Sequence, residues 1–250
     1  MSAADYSRSF RVCSWNIHKG FGPDNRRFRL EDMRDAIRSV DADICFLQEV
    51  VGHRLAYRDH PLPGTESQFE FLADRIWHHY AYGRNAIVED GHHGNAILSK
   101  VPFVSWRNYD ITRWRFSRRG LLLGRLDNGV VLICAHLGLL ATEQRFQLKR
   151  LKELVLAECR PSDPVIVAGD FNDWRRLADP VMMGELGFAE IIAEQTGRPA
   201  RSFPAILPLL RVDRVYFRGL ALEEARLLRG GVWNRLSDHA ALTAQFRLLA

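Results

Sequence analysis

The sequence predicts an α/β fold built on mixed β-sheet, and three observations carry that prediction. Short runs rich in β-branched and aromatic residues recur along the whole chain. Two segments between such runs space their apolar residues as one face of a helix does. Asn128-Gly129 stands between two apolar runs as a hairpin signal, so antiparallel pairing occurs beside strand-helix-strand units.

In chain order, residues 10–17 and 43–50 are expected strands, with a helix between them. There Leu30, Met33, Ile37 and Val40 repeat at helical spacing, and Glu31 and Asp32 occupy the first turn, where the helix dipole favours negative charge. A weaker pattern suggests a helix over roughly 67–77. Strands follow at 95–99, 121–126 and 130–137, the last two joined by the Asn128-Gly129 turn. A second clear helix begins at Thr142, a residue able to cap it, and carries Phe146, Leu148, Leu151, Leu154 and Val155 as an apolar stripe beside Arg145, Lys149 and Lys152. Its basic face reads as solvated surface. Strands at 164–168, 212–217 and 240–246 complete the series. No internal repeat, low-complexity tract or Pro/Gly/Ser linker divides it, so residues 10–250 read as one domain after an N-terminal extension at 1–9.

A chain of 250 residues is long enough to bury a full core. Its 47% hydrophobic and 26% charged residues exclude the disordered and fibrous classes. The net charge of +5 suits an anionic partner, whether nucleic acid, an anionic membrane or a phosphorylated small molecule, and equally suits a basic surface kept for solubility. Cys13, Cys45, Cys134 and Cys159 show no C-x-x-C spacing and read as small core residues in a reducing compartment. No secretory signal is visible at the N-terminus. The most apolar stretch, 129–141, is interrupted by His136 and too short to span a bilayer. A soluble, cytoplasmic monomer is the expectation.

The chemistry lies in polar residues at the ends of otherwise buried strands, where a scaffold holds them rigidly and leaves them open to substrate. Asn16 and His18 end the first strand, Glu49 follows the second, and Asn95 opens the third. His136 closes the strongly apolar run 130–137. Asp170 and Asn172 follow Gly169, which permits close backbone approach. Asp213 lies in the run 212–217, and Asp238-His239 precede the last strand. Any one of these alone reads as a turn residue, a cap or a hydrogen-bonded core residue.

Taken in order, W-N-I at Trp15, L-Q-E-V at Leu47, H-L at His136, G-D-F-N at Gly169, V-D-R-V-Y at Val212 and S-D-H-A at Ser237 resemble the endonuclease/exonuclease/phosphatase superfamily over nearly the whole chain. The resemblance implies a four-layer α/β sandwich, two packed mixed sheets flanked by helices, with the site at one sandwich edge. It also implies a divalent-metal-dependent hydrolase of phosphate esters, using Mg²⁺ or Mn²⁺. Glu49 matches the main metal-ligand glutamate, Asn16 an asparagine supporting the same metal, and Asp238 a further metal-site carboxylate. Asp170 and Asn172 match the pair that orients the attacking water and a phosphoryl oxygen. His239 matches the catalytic histidine and Asp213 the carboxylate that orients it. The chemistry asks for these types independently: a phosphodiester repels hydroxide, so a hard cation held by carboxylate and amide oxygens must offset the charge.

Two departures bear on substrate. His136 stands where the superfamily's repair nucleases usually carry a tyrosine, as it does in pancreatic-type nucleases, sphingomyelinases and 5-phosphatases. His18, followed by Lys19, stands where those repair nucleases often have an acidic residue. Segment 108–119 interleaves Arg113, Arg115, Arg118 and Arg119 with Tyr109, Trp114 and Phe116, a mixture that suits phosphate contact and base stacking, or else a solvated loop. His18, Asn95, Arg113 and Arg115 are therefore candidate substrate contacts. The apolar segment 203–210 suits an unstacked base, lipid insertion or burial beneath the sheets. A nuclease is the favoured expectation, and a phospholipid or phosphoinositide hydrolase is the alternative.

Overall fold

The computed structural model describes residues 9–54, 67–88 and 91–249. Apart from Ser9, the expected N-terminal extension lies outside the described residues. The strands are β1 (Ser9–Asn16), β2 (Ile44–Arg54), β3 (His79–Val88), β4 (Gly91–Ser99), β5 (Phe103–Asp110), β6 (Gly120–Leu126), β7 (Val131–His136), β8 (Val165–Asp170), β9 (Ala189–Glu190), β10 (Asp213–Arg218), β11 (Leu220–Leu228) and β12 (Ala241–Leu248). The α-helices are α1 (Leu30–Val40), α2 (Gln68–Ala73), α3 (Ala141–Glu158), α4 (Ile191–Thr196) and α5 (Trp233–Leu236).

Strand order is β11-β12-β1-β2-β4-β3 in one six-stranded sheet and β5-β6-β7-β8-β10-β9 in the other. Each sheet has one parallel pair at its centre, β1 with β2 and β7 with β8, among antiparallel neighbours. Those central strands are apolar on both faces because both faces are covered. Val12, Ile44 and Phe46 point into the core between the sheets with Leu132, Ile166 and Val215. The alternate residues Cys13, Trp15, Cys45 and Leu47 meet Leu30, Met33 and Ile37 of α1 and Phe71 and Leu72 of α2. On the far side Val131, Ile133 and Val167 meet Leu148, Leu151 and Val155 of α3. The outcome is the four-layer sandwich. All four cysteines are buried and unpaired. No helix among the described residues is long and apolar enough to cross a membrane.

The 128–129 turn forms as expected: Gly129 has φ of 87°, a left-handed conformation cheap only for glycine, and Asn128 Oδ1 accepts from the Val130 amide at 3.2 Å. Other expectations need correction. Leu140, not Thr142, is the N-cap residue of α3, so Thr142 sits inside the first turn. The weak helix stops at Ala73 instead of reaching 77, because Asp74 takes positive φ; Ser67 caps it, accepting from the Glu70 amide. Strands β3, β5 and β11 appear where none is expected. β3 and β5 are sheet edges, and β5 is exposed along most of its length, so no buried face imposes an apolar alternation on it.

Candidate active site

Register brings the polar residues together. His136 pairs with Asp170 across β7 and β8, and Asp170 with Asp213 across β8 and β10, so three strands deliver their terminal side chains to one edge. Gly169 makes this possible: a Cβ there would lie 1.9 Å from the Ala135 carbonyl oxygen. In the other sheet Asn16 pairs with Gln48. The β2–β4 register then breaks between Leu47 and Val50, and within this bulge Glu49 takes φ of 56°. A bulge of this kind re-aims a side chain, and a left-handed glutamate costs on the order of 1–3 kcal/mol that the surrounding structure must hold.

The result is a cleft of about 220 Å³ between the sheet ends, lined on its polar side by Glu49, Arg119, His136, Asp170, Asn172 and His239. Its apolar walls are Leu139, Trp174, Phe203, Leu210 and Val212. Asp170 is the hub. Its Oδ1 accepts from the Asn172 amide at 2.9 Å and its Oδ2 from Asn16 Nδ2 at 3.1 Å, while His136 Nε2 and His239 Nε2 stand 3.6 and 3.7 Å from Oδ2. Asp213 Oδ2 lies 2.9 Å from His239 Nδ1.

These groups are buried, and the balance of burial against neighbouring charge sets which of them are ionised. Desolvation raises the Asp170 carboxyl to about 7 against the favourable field of His239. Burial opposes a charge on His239, yet Asp213 and Asp170 overcome it and raise the imidazole to about 10. Burial and the Arg119 guanidinium push His136 well below its ordinary value, so this imidazole is neutral. For Glu49, burial opposes ionisation, but the fields of His136 and Lys19 and the hydrogen bond from Lys19 hold it well below the usual carboxylate range. With His136 neutral, Lys19 is the partner that carries charge: its Nζ lies 2.5 Å from Glu49 Oε2.

A divalent cation fits at Glu49. Its carboxylate is ionised, faces the cleft, and already draws an ammonium to one oxygen. The donor atoms of Asp170, Asp213 and His239 also lie within 4.8 Å of one another. There Asp213 Oδ2 is already engaged with His239 Nδ1.

The remaining expected residues are placed as follows. Asn16 lies one hydrogen bond behind the cleft, with Oδ1 accepting from the His18 amide at 3.0 Å. Asn172 Nδ2 donates to the Leu137 carbonyl at 2.9 Å. Asp238 does not line the cleft; its Oδ1 is 3.7 Å from His18 Nδ1, which also lies 3.3 Å from the Gly22 carbonyl. Asn95 is fully buried between the sheets, its amide donating to the carbonyls of Gly120 and Cys134, so it ties β4 to β6 and β7 and does not line the cleft. Arg113 and Arg115 are exposed outside the cleft, Arg113 stacking on Trp114 and Phe146.

Two residues gain importance from the structure. Lys19 reaches Glu49 because His18 and Lys19 both take positive φ and Gln68 Nε2 holds the Lys19 carbonyl at 2.7 Å. Arg119 reaches the cleft beside His136, its Nε donating to the Leu137 carbonyl at 3.2 Å. The hairpin register, with Leu121 opposite Ala135, places Arg119 there, and that register is signalled by the Asn128-Gly129 turn.

Known proteins resemble this chain in sequence and in fold. The protein YbhP of Escherichia coli, itself uncharacterised, is 44% identical over 250 residues, covering 96% of this chain and 97% of its own. The crystal structure of an endonuclease/exonuclease/phosphatase from Beutenbergia cavernae superposes with a TM-score of 0.76 at 23% identity, over 96% of this chain and 72% of that one. TDP2 of D. rerio, crystallised with a single-strand DNA product, superposes with a TM-score of 0.66 at 20% identity, over 96% of this chain and 99% of that one. The profile of the Endonuclease/Exonuclease/phosphatase family matches residues 13–239. The chain therefore belongs to that family.

Proposed function

We propose that the protein is a divalent-metal-dependent phosphodiesterase that breaks a P–O bond by in-line attack of water. The observation that carries this reading is the convergence, in one cleft, of an ionised carboxylate, a carboxyl near neutral titration and a protonated imidazole: Glu49, Asp170 and His239. These are the three unlike groups that phosphodiester hydrolysis needs.

Glu49 would hold Mg²⁺ or Mn²⁺, and Asn16 would support the site through its hydrogen bond to Asp170. The bound ion supplies charge neutralisation at the phosphoryl oxygens. Asp170, titrating near 7, accepts the proton of the attacking water, and Asn172 helps to place that water. His239, held as imidazolium by Asp213, donates to the phosphoryl group as charge builds. Neutral His136 adds a hydrogen bond, and Arg119 adds a fixed positive charge at the cleft wall. The four buried, unpaired thiols suit work in the cytoplasm.

Two substrate readings divide the surface. Nucleic acid is supported by the net charge of +5 and by the DNA-bound neighbour TDP2. A phospholipid is supported by a more specific observation, the exposed apolar segment at the cleft mouth, since net charge suits both. The test is a panel of phosphodiesters and phosphomonoesters assayed with Mg²⁺ and Mn²⁺ against wild type and Glu49→Ala. Metal-dependent diester hydrolysis lost in the variant is the expected outcome. Absence of hydrolysis across the panel, with the fold intact, overturns the reading.

A further inference from the structure

The segment between α4 and β10 folds into a closed loop with an exposed apolar tip. Its base is pinned, because Phe203 and Leu210 exchange backbone hydrogen bonds at 3.2 and 2.8 Å and the Ala205 amide donates to the Asp238 carbonyl at 2.7 Å. Beyond that base Ile206, Leu207 and Leu209 are 67%, 64% and 56% exposed. A pinned loop holding three large aliphatic side chains in water is unusual in a soluble protein and marks a contact surface.

The apolar tip continues to the cleft. Phe203 and Leu210, at the loop base, line the cleft, as do Leu139 and Trp174, both also exposed. Arginines surround this mouth. Arg211 stands in the combined field of Arg201 and Arg198, both of them exposed. Arg175 lies over the Trp174 ring at 4.3 Å. Ile206 also walls a hollow of about 210 Å³ lined by Arg27, Arg29 and Arg235 together with Asp24.

Aliphatic side chains at the tip with arginines around them match the two layers of an anionic bilayer, whose lipid phosphates lie just outside its acyl boundary. Nucleic acid would meet the arginines but leaves the aliphatic tip uncovered, because leucine and isoleucine offer no stacking face. We propose that this mouth docks on an anionic phospholipid surface, with Ile206, Leu207 and Leu209 entering the interface and Arg198, Arg201 and Arg211 meeting lipid phosphates. The cleft then opens directly onto the headgroups. That the docked lipid is also the substrate rests on the phosphodiesterase reading above; the docking itself does not.

The test uses the full chain with vesicles of phosphatidylcholine alone and of phosphatidylcholine mixed with phosphatidylglycerol, read by co-sedimentation. Wild type is expected to bind the mixed vesicles and release at high salt. Ile206→Asp with Leu207→Asp is expected to lower that binding at least about tenfold, since burying even one aliphatic side chain accounts for that much. Arg198→Gln with Arg201→Gln lowers it by roughly fivefold for each charge removed. The milder Ile206→Ser with Leu207→Ser guards against misfolding and is expected to lose binding as well. Metal-dependent hydrolysis of the soluble diester bis(p-nitrophenyl) phosphate stays unchanged in all three. Vesicle binding without diester hydrolysis in the wild type upholds the docking and removes the phosphodiesterase reading. Four results overturn the docking: no preference for the anionic vesicles; tip variants that bind as wild type does; a tip that governs oligonucleotide binding while vesicles are ignored; or a concentration-dependent dimer abolished by the tip variants.

Discussion

Asp213→Asn isolates the electrostatic work done on His239. The substitution keeps the shape of the side chain and an acceptor for His239 Nδ1, which lies 2.9 Å away, but removes the charge. In the wild type burial opposes the imidazolium, and the Asp213 carboxylate is the largest influence raising His239 to about 10. Without it only Asp170 and Asp238 favour the cation, so His239 is expected to titrate near or below the ordinary imidazole value of about 6.5. Losing one charge of such a buried pair amounts to about 3–5 kcal/mol. Because the folded-state value is raised, the imidazolium stabilises the wild type fully below about pH 6.5. That contribution is lost as pH climbs through about 10. Nitrogen-15 titration of the histidine rings reads the shift directly, and urea unfolding at neutral pH and near pH 10 reads the linked stability. The stability of the wild type should fall across that interval while that of the variant stays flat. Diester hydrolysis at neutral pH should drop about 10²-fold or more through loss of the proton donor. A His239 still titrating near 10 in the variant refutes the assignment of its charge to Asp213.

Three further outcomes follow from the same geometry. Lys19→Met removes an ammonium that competes for Glu49, so Mn²⁺ affinity measured by calorimetry should rise by roughly 5- to 30-fold, the equivalent of about 1–2 kcal/mol; unchanged affinity shows that Lys19 and the cation do not compete. Hydrolysis should increase as pH climbs through about 7, where Asp170 becomes an anion able to accept a proton, and Asp170→Asn should abolish that limb of the pH-rate profile. Leu151→Ala, at a fully buried position between α3 and the second sheet, should lower unfolding stability by about 2–5 kcal/mol without altering the metal requirement; a loss under about 1 kcal/mol would mean that this core collapses around the missing side chain.

The residues that end fully buried strands were legible in the sequence. His136 and Asp170 close apolar runs and Asp213 opens one, and a strand covered on both faces leaves its end as the natural place for a polar side chain. Asn95 shows the limit of that argument: it reads as the opening of a strand, but β4 begins at Gly91, so Asn95 lies in mid-strand, on the face turned to the opposing sheet. Its amide turned inward to the Gly120 and Cys134 carbonyls. The bulge that aims Glu49 was also illegible, since no residue type in Gln48-Glu49 announces a left-handed backbone. The arginine-aromatic segment divided in a way composition does not reveal. Its last residue, Arg119, is carried into the cleft by the hairpin register, while Arg113 stacks on Phe146 of α3. Strands β5 and β11 were missed because edge positions need no apolar alternation to stay paired.

The central claim is that one cleft holds the cation and the groups that act on phosphorus. Anomalous diffraction from crystals soaked in Mn²⁺ and a non-hydrolysable diester tests it most directly. Manganese is expected at the Glu49 carboxylate with the Lys19 ammonium displaced, and the diester phosphorus between that ion, Asp170 and His239. Manganese bound only among Asp170, Asp213 and His239, or phosphorus seated away from Glu49, contradicts it.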